Sequence, residues 1–263
     1  MRMRSELHSI TIMNRLFTFG CSFTQYWWPT WAEILGNQPY FTEHQNWGLS
    51  GFGNLGIACS VAEAHARHKF TSADTVIIMW SGIYREDRWV SQDWFRSGHI
   101  NYSSDYPAEF IDKFIDYRGC AIRDFAQITT VQHMLTSTGC NYHFLSMHDL
   151  GEVPFDDMSP EDISDVIDLY SDTLNMIKPS VHEVIFDNCW HTPSRNWNNK
   201  PRSDYHPLPA EHTEYLQQVL PEYQLTSSSI QQAQQDSEFI IRNYGKLDIE
   251  GHFKMAPPRV HRF

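Results

Sequence analysis

The chain has 263 residues, 41% of them hydrophobic, with a formal net charge of -12 and a sequence pI of about 5.5. That length and apolar content suit one large α/β domain with room for a small appendage. The acidic balance and the lack of a lysine/arginine run exclude a phosphate backbone or an anionic membrane surface as the expected partner, and no segment approaches the ~18 consecutive apolar residues of a membrane span.

Five scattered cysteines, Cys21, Cys59, Cys120, Cys140 and Cys189, have no zinc-knuckle spacing and read as reduced thiols. Residues 5–11 are too polar and too short for a signal-peptide apolar region. The expected location is therefore a cytoplasm, or a virion for a phage-encoded chain. Met13 reads as a second start, which makes 1–12 an N-terminal extension.

In chain order, an apolar run at 16–19 predicts a strand that ends at Gly20 and delivers Ser22 onto a tight turn. Apolar residues at helical spacing predict a helix over 27–35, with Gly36-Asn37 as its stop. A short strand is expected at 45–48, a glycine-rich loop at 49–53 and an alanine-rich helix at 54–69 with Asn54 as its N-cap. The continuous apolar run 75–80 predicts a strand buried on both faces. Residues 81–119 break the rhythm with a long polar and aromatic segment holding Tyr84, Trp89, Trp94, Phe95, Tyr102 and Tyr106, expected over the carboxyl end of the sheet as an insertion or lid. A helix (122–136), a strand (142–147), a helix (160–177) and a fifth strand (181–186) follow. Residues 187–203 read as loop, 208–220 as the last packed helix, and 221–263 as a helical tail with a helix over 229–243 and a basic end at 259–263. The alternation implies a parallel sheet with helices on both faces.

Nucleophilic catalysis by serine needs a base, an acid to orient it and donors for the oxyanion. Asp204-Tyr205-His206-Pro207 follows a loop and precedes a helix, and residues two apart in an extended segment point to the same side. Each of these residues also has a plainer reading: Ser22 as a turn serine, His206 as a residue at a helix start, Asp204 as a helix cap, Gly51 as a turn glycine. Fourteen histidines form no metal-ligand pattern, so no metal is expected. The glycine-rich stretch 48–53 lacks the Gly-x-Gly-x-x-Gly fingerprint after a strand and no P-loop occurs, so no nucleotide cofactor is expected either.

Taken in order, Gly20-Cys21-Ser22-Phe23-Thr24, Asn46-Trp47-Gly48-Leu49-Ser50-Gly51 and the Asp204/His206 block resemble the sequence blocks of the SGNH/GDSL hydrolase superfamily, in its divergent phage and marine branch. The resemblance spans 15–85 and 200–216. It implies a three-layer, flavodoxin-like sandwich around a central parallel sheet over 13–220. It also implies a cofactor-free serine esterase or acylhydrolase acting on a carboxylic ester, such as a carbohydrate O-acetyl or short acyl ester. Ser22 carries over as nucleophile, His206 as base, Asp204 as its orienter, and the N–H groups of Ser22 and Gly51 as the oxyanion hole. His212 is similar to a later histidine of the family's closing helix.

Two departures are visible. Ile83 stands where the third block has an asparagine donor, which makes Asn54, Ser81 or a loop side chain the candidate substitute, while Arg85, at the mouth of the third strand, is a candidate contact for a substrate anion or a partner of Glu86 or Asp87. The residue three before His206 is Ser203, and the aspartate lies two before it. These departures leave a second expectation: a catalytically silent SGNH-like domain that binds glycans or serves as a phage structural component, with 221–263 as the surface for self-association or virion assembly.

Overall fold

The apolar run before the serine turn is strand β1 (Met13–Phe19), in a computed structural model that describes residues 13–100, 105–151, 163–186, 204–246 and 248–255. After the turn come α1 (Trp31–Gly36), β2 (Phe41–Asn46), α2 (Asn54–His68) and β3 (Asp74–Trp80). A hairpin, β4 (Arg85–Val90) and β5 (Asp93–His99), precedes α3 (Ala108–Phe114), α4 (Tyr117–Thr138) and β6 (Asn141–Ser146). The chain then continues through α5 (Ser164–Leu169), α6 (Ser171–Leu174), α7 (Val181–Phe186), α8 (Pro209–Val219), α9 (Ser227–Asn243) and α10 (Ile249–Phe253).

Four strands form a parallel sheet in the order β2-β1-β3-β6. Every residue of β3 is buried, as are Leu16, Phe17 and Phe19 of β1, so these strands read as continuous apolar runs rather than alternating ones. Helices α2 and α4 pack together, and α1, α7, α8 and α9 make a second contiguous set. The chain is thus an α/β protein whose parallel sheet is flanked by helices, an arrangement compatible with a three-layer sandwich. Because β1 lies between β2 and β3, the strand order reverses there, and the carboxyl ends of β1 and β3 border the crevice where open α/β sheets bind ligands. At the opposite end Arg15 donates to both carboxylate oxygens of Asp74 at 2.7 Å, tying β1 to β3 where the two residues pair in register.

The structure corrects several boundaries. Residues 181–186 form helix α7, not a fifth strand: the Ser180 N–H donates to Glu183 Oε2 (2.6 Å) and the Glu183 N–H to Ser180 Oγ (3.1 Å), a capping box that starts a helix. The edge beside β6 is taken instead by a single parallel bridge from Phe144 to Ile177, with the Lys178 N–H donating to the Phe144 carbonyl at 2.9 Å. The helix expected over 27–35 begins only at Trp31, because Thr30 and Glu33 form another capping box; Tyr26–Trp28 remain outside it. The short strand at 45–48 is the end of a longer one, Phe41–Asn46, and the helix over 160–177 is split into α5 and α6. The described residues of the aromatic segment 81–119 hold the antiparallel β4–β5 hairpin and α3. The extension 1–12, the loop 187–203, Tyr102, Cys189 and the basic end 259–263 lie outside the described residues; Cys21, Cys59, Cys120 and Cys140 are free thiols.

Candidate active site

Gly20 closes β1 at a φ of +154°, and a Cβ there would lie 2.1 Å from Thr24 Oγ1 and 2.9 Å from the Met79 carbonyl oxygen, so only glycine fits. The turn is closed by the Thr24 and Gln25 N–H groups donating to the Cys21 carbonyl, at 2.9 and 3.1 Å, which leaves Ser22 at its crest. The loop after β2 is stitched onto this turn: the Leu49 N–H donates to the Gly20 carbonyl (3.0 Å), Asn46 Nδ2 to the Thr24 carbonyl (2.9 Å) and Ser50 Oγ to the Gln25 carbonyl (2.9 Å). Gly51, at a φ of +87°, therefore sits on a turn adjoining that of Ser22. Among the described residues neither the Ser22 N–H nor the Gly51 N–H is engaged in a hydrogen bond, so both remain available as donors.

Asp204 and His206 form a compact pair. The Asp204 Oδ1 atom lies 2.8 Å from His206 Nδ1 and also accepts the His206 backbone N–H at 2.9 Å. Its other oxygen accepts the hydroxyls of Tyr26 (2.7 Å) and Tyr244 (2.9 Å). Burial by itself pushes the Asp204 carboxyl up, but the hydrogen bonds from His206 and Tyr26 and the His206 charge bring it down to about 2. Burial and the adjacent carboxylate raise both phenols, that of Tyr244 to about 12, so they stay protonated and act as donors. The His206 ring stacks on Tyr26, with centroids 3.7 Å apart at 16°, and its centroid lies 5.3 Å from that of Phe23, the residue after Ser22. The nucleophile candidate and the Asp–His pair thus border the same turn, although no hydrogen bond joins Ser22 Oγ to His206.

Asn54, Ser81 and Arg85, the candidate substrate contacts, are engaged with the protein itself. Asn54 is fully buried; its Nδ2 donates to the Ser81 carbonyl and to Asp124 Oδ2, both at 2.9 Å, and its Oδ1 accepts the Ser81 N–H at 2.8 Å. Ser81 is fully buried too, its hydroxyl 3.5 Å from Met147 Sδ. These two residues lock the end of β3 to α2. Arg85 donates to the Phe52 carbonyl at 2.9 Å, while the carboxylate beside it, Glu86, pairs with Arg88 and Arg123. Ile83 and His212 are each 1% exposed.

Four residues with clear positions at the site carry no sequence signal of it. Tyr26 and Tyr244 hold Asp204. Arg96 of β5 donates to the Ser50 carbonyl at 3.1 Å and covers Gly51, whose Cβ, if present, would lie 3.3 Å from that of Arg96. Asp87 of β4 accepts the N–H groups of Gly53 and Gly56 at 2.9 to 3.0 Å, so the hairpin caps α2 from outside. Among the described residues no cluster of histidine, cysteine or carboxylate groups could hold a metal, and no helix is long and apolar enough to cross a membrane. No family model matches the chain, and no curated protein gives a sequence match.

Proposed function

We propose that the chain is a serine hydrolase of SGNH type that cleaves a carboxylic ester. The observation that carries this reading is the Asp204–His206 pair, ordered by a 2.8 Å contact and packed against the residues that immediately follow Ser22. In the reaction, Ser22 Oγ attacks the acyl carbon as His206 takes its proton, and the Ser22 and Gly51 N–H groups receive the developing oxyanion. His206 returns the proton to the leaving alcohol as the ester C–O bond breaks. Water, deprotonated by the same imidazole, then releases the acid and restores Ser22. Asp204 keeps the proton on Nδ1, so that Nε2 is the basic atom. Catalytic hydrogen bonds are often unformed in unliganded enzymes and tighten when substrate binds, so the roles of Ser22 and His206 do not require the contact in the unliganded protein.

A carbohydrate O-acetyl or other short acyl ester is the favoured substrate class. Its support is an opening of about 300 Å³ beside Tyr244, lined by Trp27, Asp248 and Glu250, with the Trp27 side chain 47% exposed: an aromatic face flanked by carboxylates suits a sugar ring better than an acyl chain. The four cysteines among the described residues are free thiols, which suits action in a reducing compartment such as a host cytoplasm, or in a virion assembled there. The second reading, a silent SGNH-like binding or phage structural domain, is favoured by the absent Ser22–His206 hydrogen bond and by Ile83 in the place of an oxyanion donor.

The two are separated by labelling with a fluorophosphonate and by turnover of p-nitrophenyl acetate and acetylated sugars. The hydrolase labels at Ser22 and turns over ester, and Ser22→Ala loses both; turnover that survives in Ser22→Ala refutes the assignment. A wild-type protein that neither labels nor turns over ester supports the binding domain.

A further inference from the structure

We infer that Tyr26 and Tyr244 are positioning residues for the Asp204–His206 pair, which makes the C-terminal helix α9 part of the site rather than an appendage to it. This rests on the hydrolase reading above and names two residues and a chain segment that the reading does not itself require.

The reason lies in how Asp204 is satisfied. Both of its contacts with His206 use Oδ1, one to the backbone N–H and one to Nδ1. A carboxylate held through one oxygen can rotate about its Cβ–Cγ bond, and each rotation tilts the imidazole that depends on it. The hydroxyls of Tyr26 and Tyr244 converge on the other oxygen from two different parts of the chain, 178 and 40 residues away in sequence, and so fix the plane of the group. Donors to an ionised acceptor are the strong ones, and two of them on one partly enclosed oxygen exceed what packing alone would require.

Tyr26 acts on the histidine as well. Its ring lies parallel to the imidazole at a 3.7 Å centroid distance, which opposes a ring flip and presents a π face to the imidazolium formed during proton transfer. The next residue is pinned too, because Trp28 Nε1 donates to the Pro207 carbonyl at 2.9 Å. Tyr26, Trp28, Leu208, Ile240 and Ile249 make an apolar cluster separate from the main core, joining the serine turn, the Asp–His segment and the tail.

Helix α9 is anchored along its length, so it can deliver Tyr244 to a defined place. Near its start the Thr226 N–H donates to Gln38 Oε1 (3.0 Å) and Gln38 Nε2 to Ser229 Oγ (2.9 Å); in its middle Ser237 Oγ accepts the Ala210 N–H of α8 at 2.8 Å. Tyr244 follows directly at its C-terminal end.

The test uses the full chain with Tyr26→Phe, Tyr244→Phe and the double variant, which keep the rings and remove only the hydroxyls. Two readouts are taken: kcat and KM on p-nitrophenyl acetate, and the low-field proton resonance of His206 Nδ1–H, assigned by its loss in His206→Gln. Each single variant is expected to lower kcat about tenfold with KM unchanged, as loss of a hydrogen bond to a charged group predicts, and to move the resonance. A double variant with wild-type kcat and an unmoved resonance overturns the inference. Tyr244 lies at a helix end, so its variant reports even where Tyr26→Phe fails to fold. A wild-type protein without esterase activity or labelling refutes the hydrolase reading alone: the resonance still decides the positioning, sustaining it if it moves in the variants and overturning it if it does not.

Discussion

Replacing Asp87 by alanine is expected to destabilise the protein by about 3 kcal/mol, although Asp87 lies outside α2, the helix it supports. The N-cap position of that helix falls on Gly53, not on Asn54 as the sequence suggests, and glycine has no side chain to cap the first turn. Asp87 supplies the cap across the hairpin contact, accepting from the Gly53 and Gly56 N–H groups, and is itself only 1% exposed. Its removal orphans two enclosed donors next to the positive end of a helix. Bonds to a charged acceptor are each worth roughly 1.5 to 3 kcal/mol, from which the cost of burying the carboxylate must be subtracted. That cost is evident in the direction of the Asp87 carboxyl, which burial pushes up against the pull of the two N–H groups. Asp87→Asn keeps one acceptor oxygen and should lose about half as much.

An independent arm reverses the usual sign of a helix substitution. Glycine to alanine inside a helix ordinarily gains about 1 kcal/mol. A Cβ on Gly56, however, would lie 2.9 Å from Asp87 Oδ2 and 3.0 Å from Phe52 Cδ1, so Gly56→Ala pushes the cap away and should destabilise. Urea unfolding followed by the fluorescence of the nine tryptophans measures all three variants. An Asp87→Ala midpoint equal to wild type, or a Gly56→Ala protein more stable than wild type, refutes the capping argument.

Gly51→Ala places an L residue at a φ of +87° with its Cβ 3.3 Å from that of Arg96, so about 1 to 2 kcal/mol of stability should be lost along with ester turnover, measured by thermal melting beside kcat. Asp204 gives a pH signature. Its folded-state pKa, about 2, lies below its unfolded value, so it stabilises the fold fully above about pH 4, and this contribution, about 2 kcal/mol, is lost as pH falls from there through 2. Asp204→Asn should flatten this part of a stability-versus-pH curve; an unchanged acid limb in that variant contradicts the assignment.

The sheet was legible where burial on both faces made the sequence continuous, as in β1 and β3, and illegible where local hydrogen bonding outweighed apolar content. Val181-His182-Glu183-Val184-Ile185-Phe186 has the β-branched and aromatic content of a strand, yet Ser180 and Glu183 form the capping box of a helix, a signal present in the sequence at its usual spacing. Thr30 and Glu33 shift the start of α1 in the same way. The β4–β5 hairpin left no such trace. Its two-residue turn is Ser91-Gln92, both at positive φ (52° and 70°), where asparagine and glycine would ordinarily announce it. At the site, turn chemistry marked Ser22 and Gly51, and spacing marked Asp204 with His206. Tyr26 and Tyr244 were invisible because the carboxylate they serve is distant in sequence from both, and no local pattern encodes such a contact.

That invisibility bears on how the site is built. Asp204 follows β6, the last sheet strand among the described residues, by 58 residues, and closing so long a connection does little to fix where its end lies. The geometry of a proton relay, by contrast, must hold within fractions of an ångström. The structure resolves this by making the serine turn its own template: the segment that presents Ser22 continues through Phe23 and Tyr26, which pack on His206, to Trp28, which binds the Pro207 carbonyl. The placement of His206 relative to Ser22 is then set by a stretch of seven residues, Ser22 through Trp28, braced from behind by Tyr244. Changes in the long connection should therefore leave the pair in place, whereas a one-residue insertion between Ser22 and Tyr26 should separate the two halves of the site while the sheet remains intact.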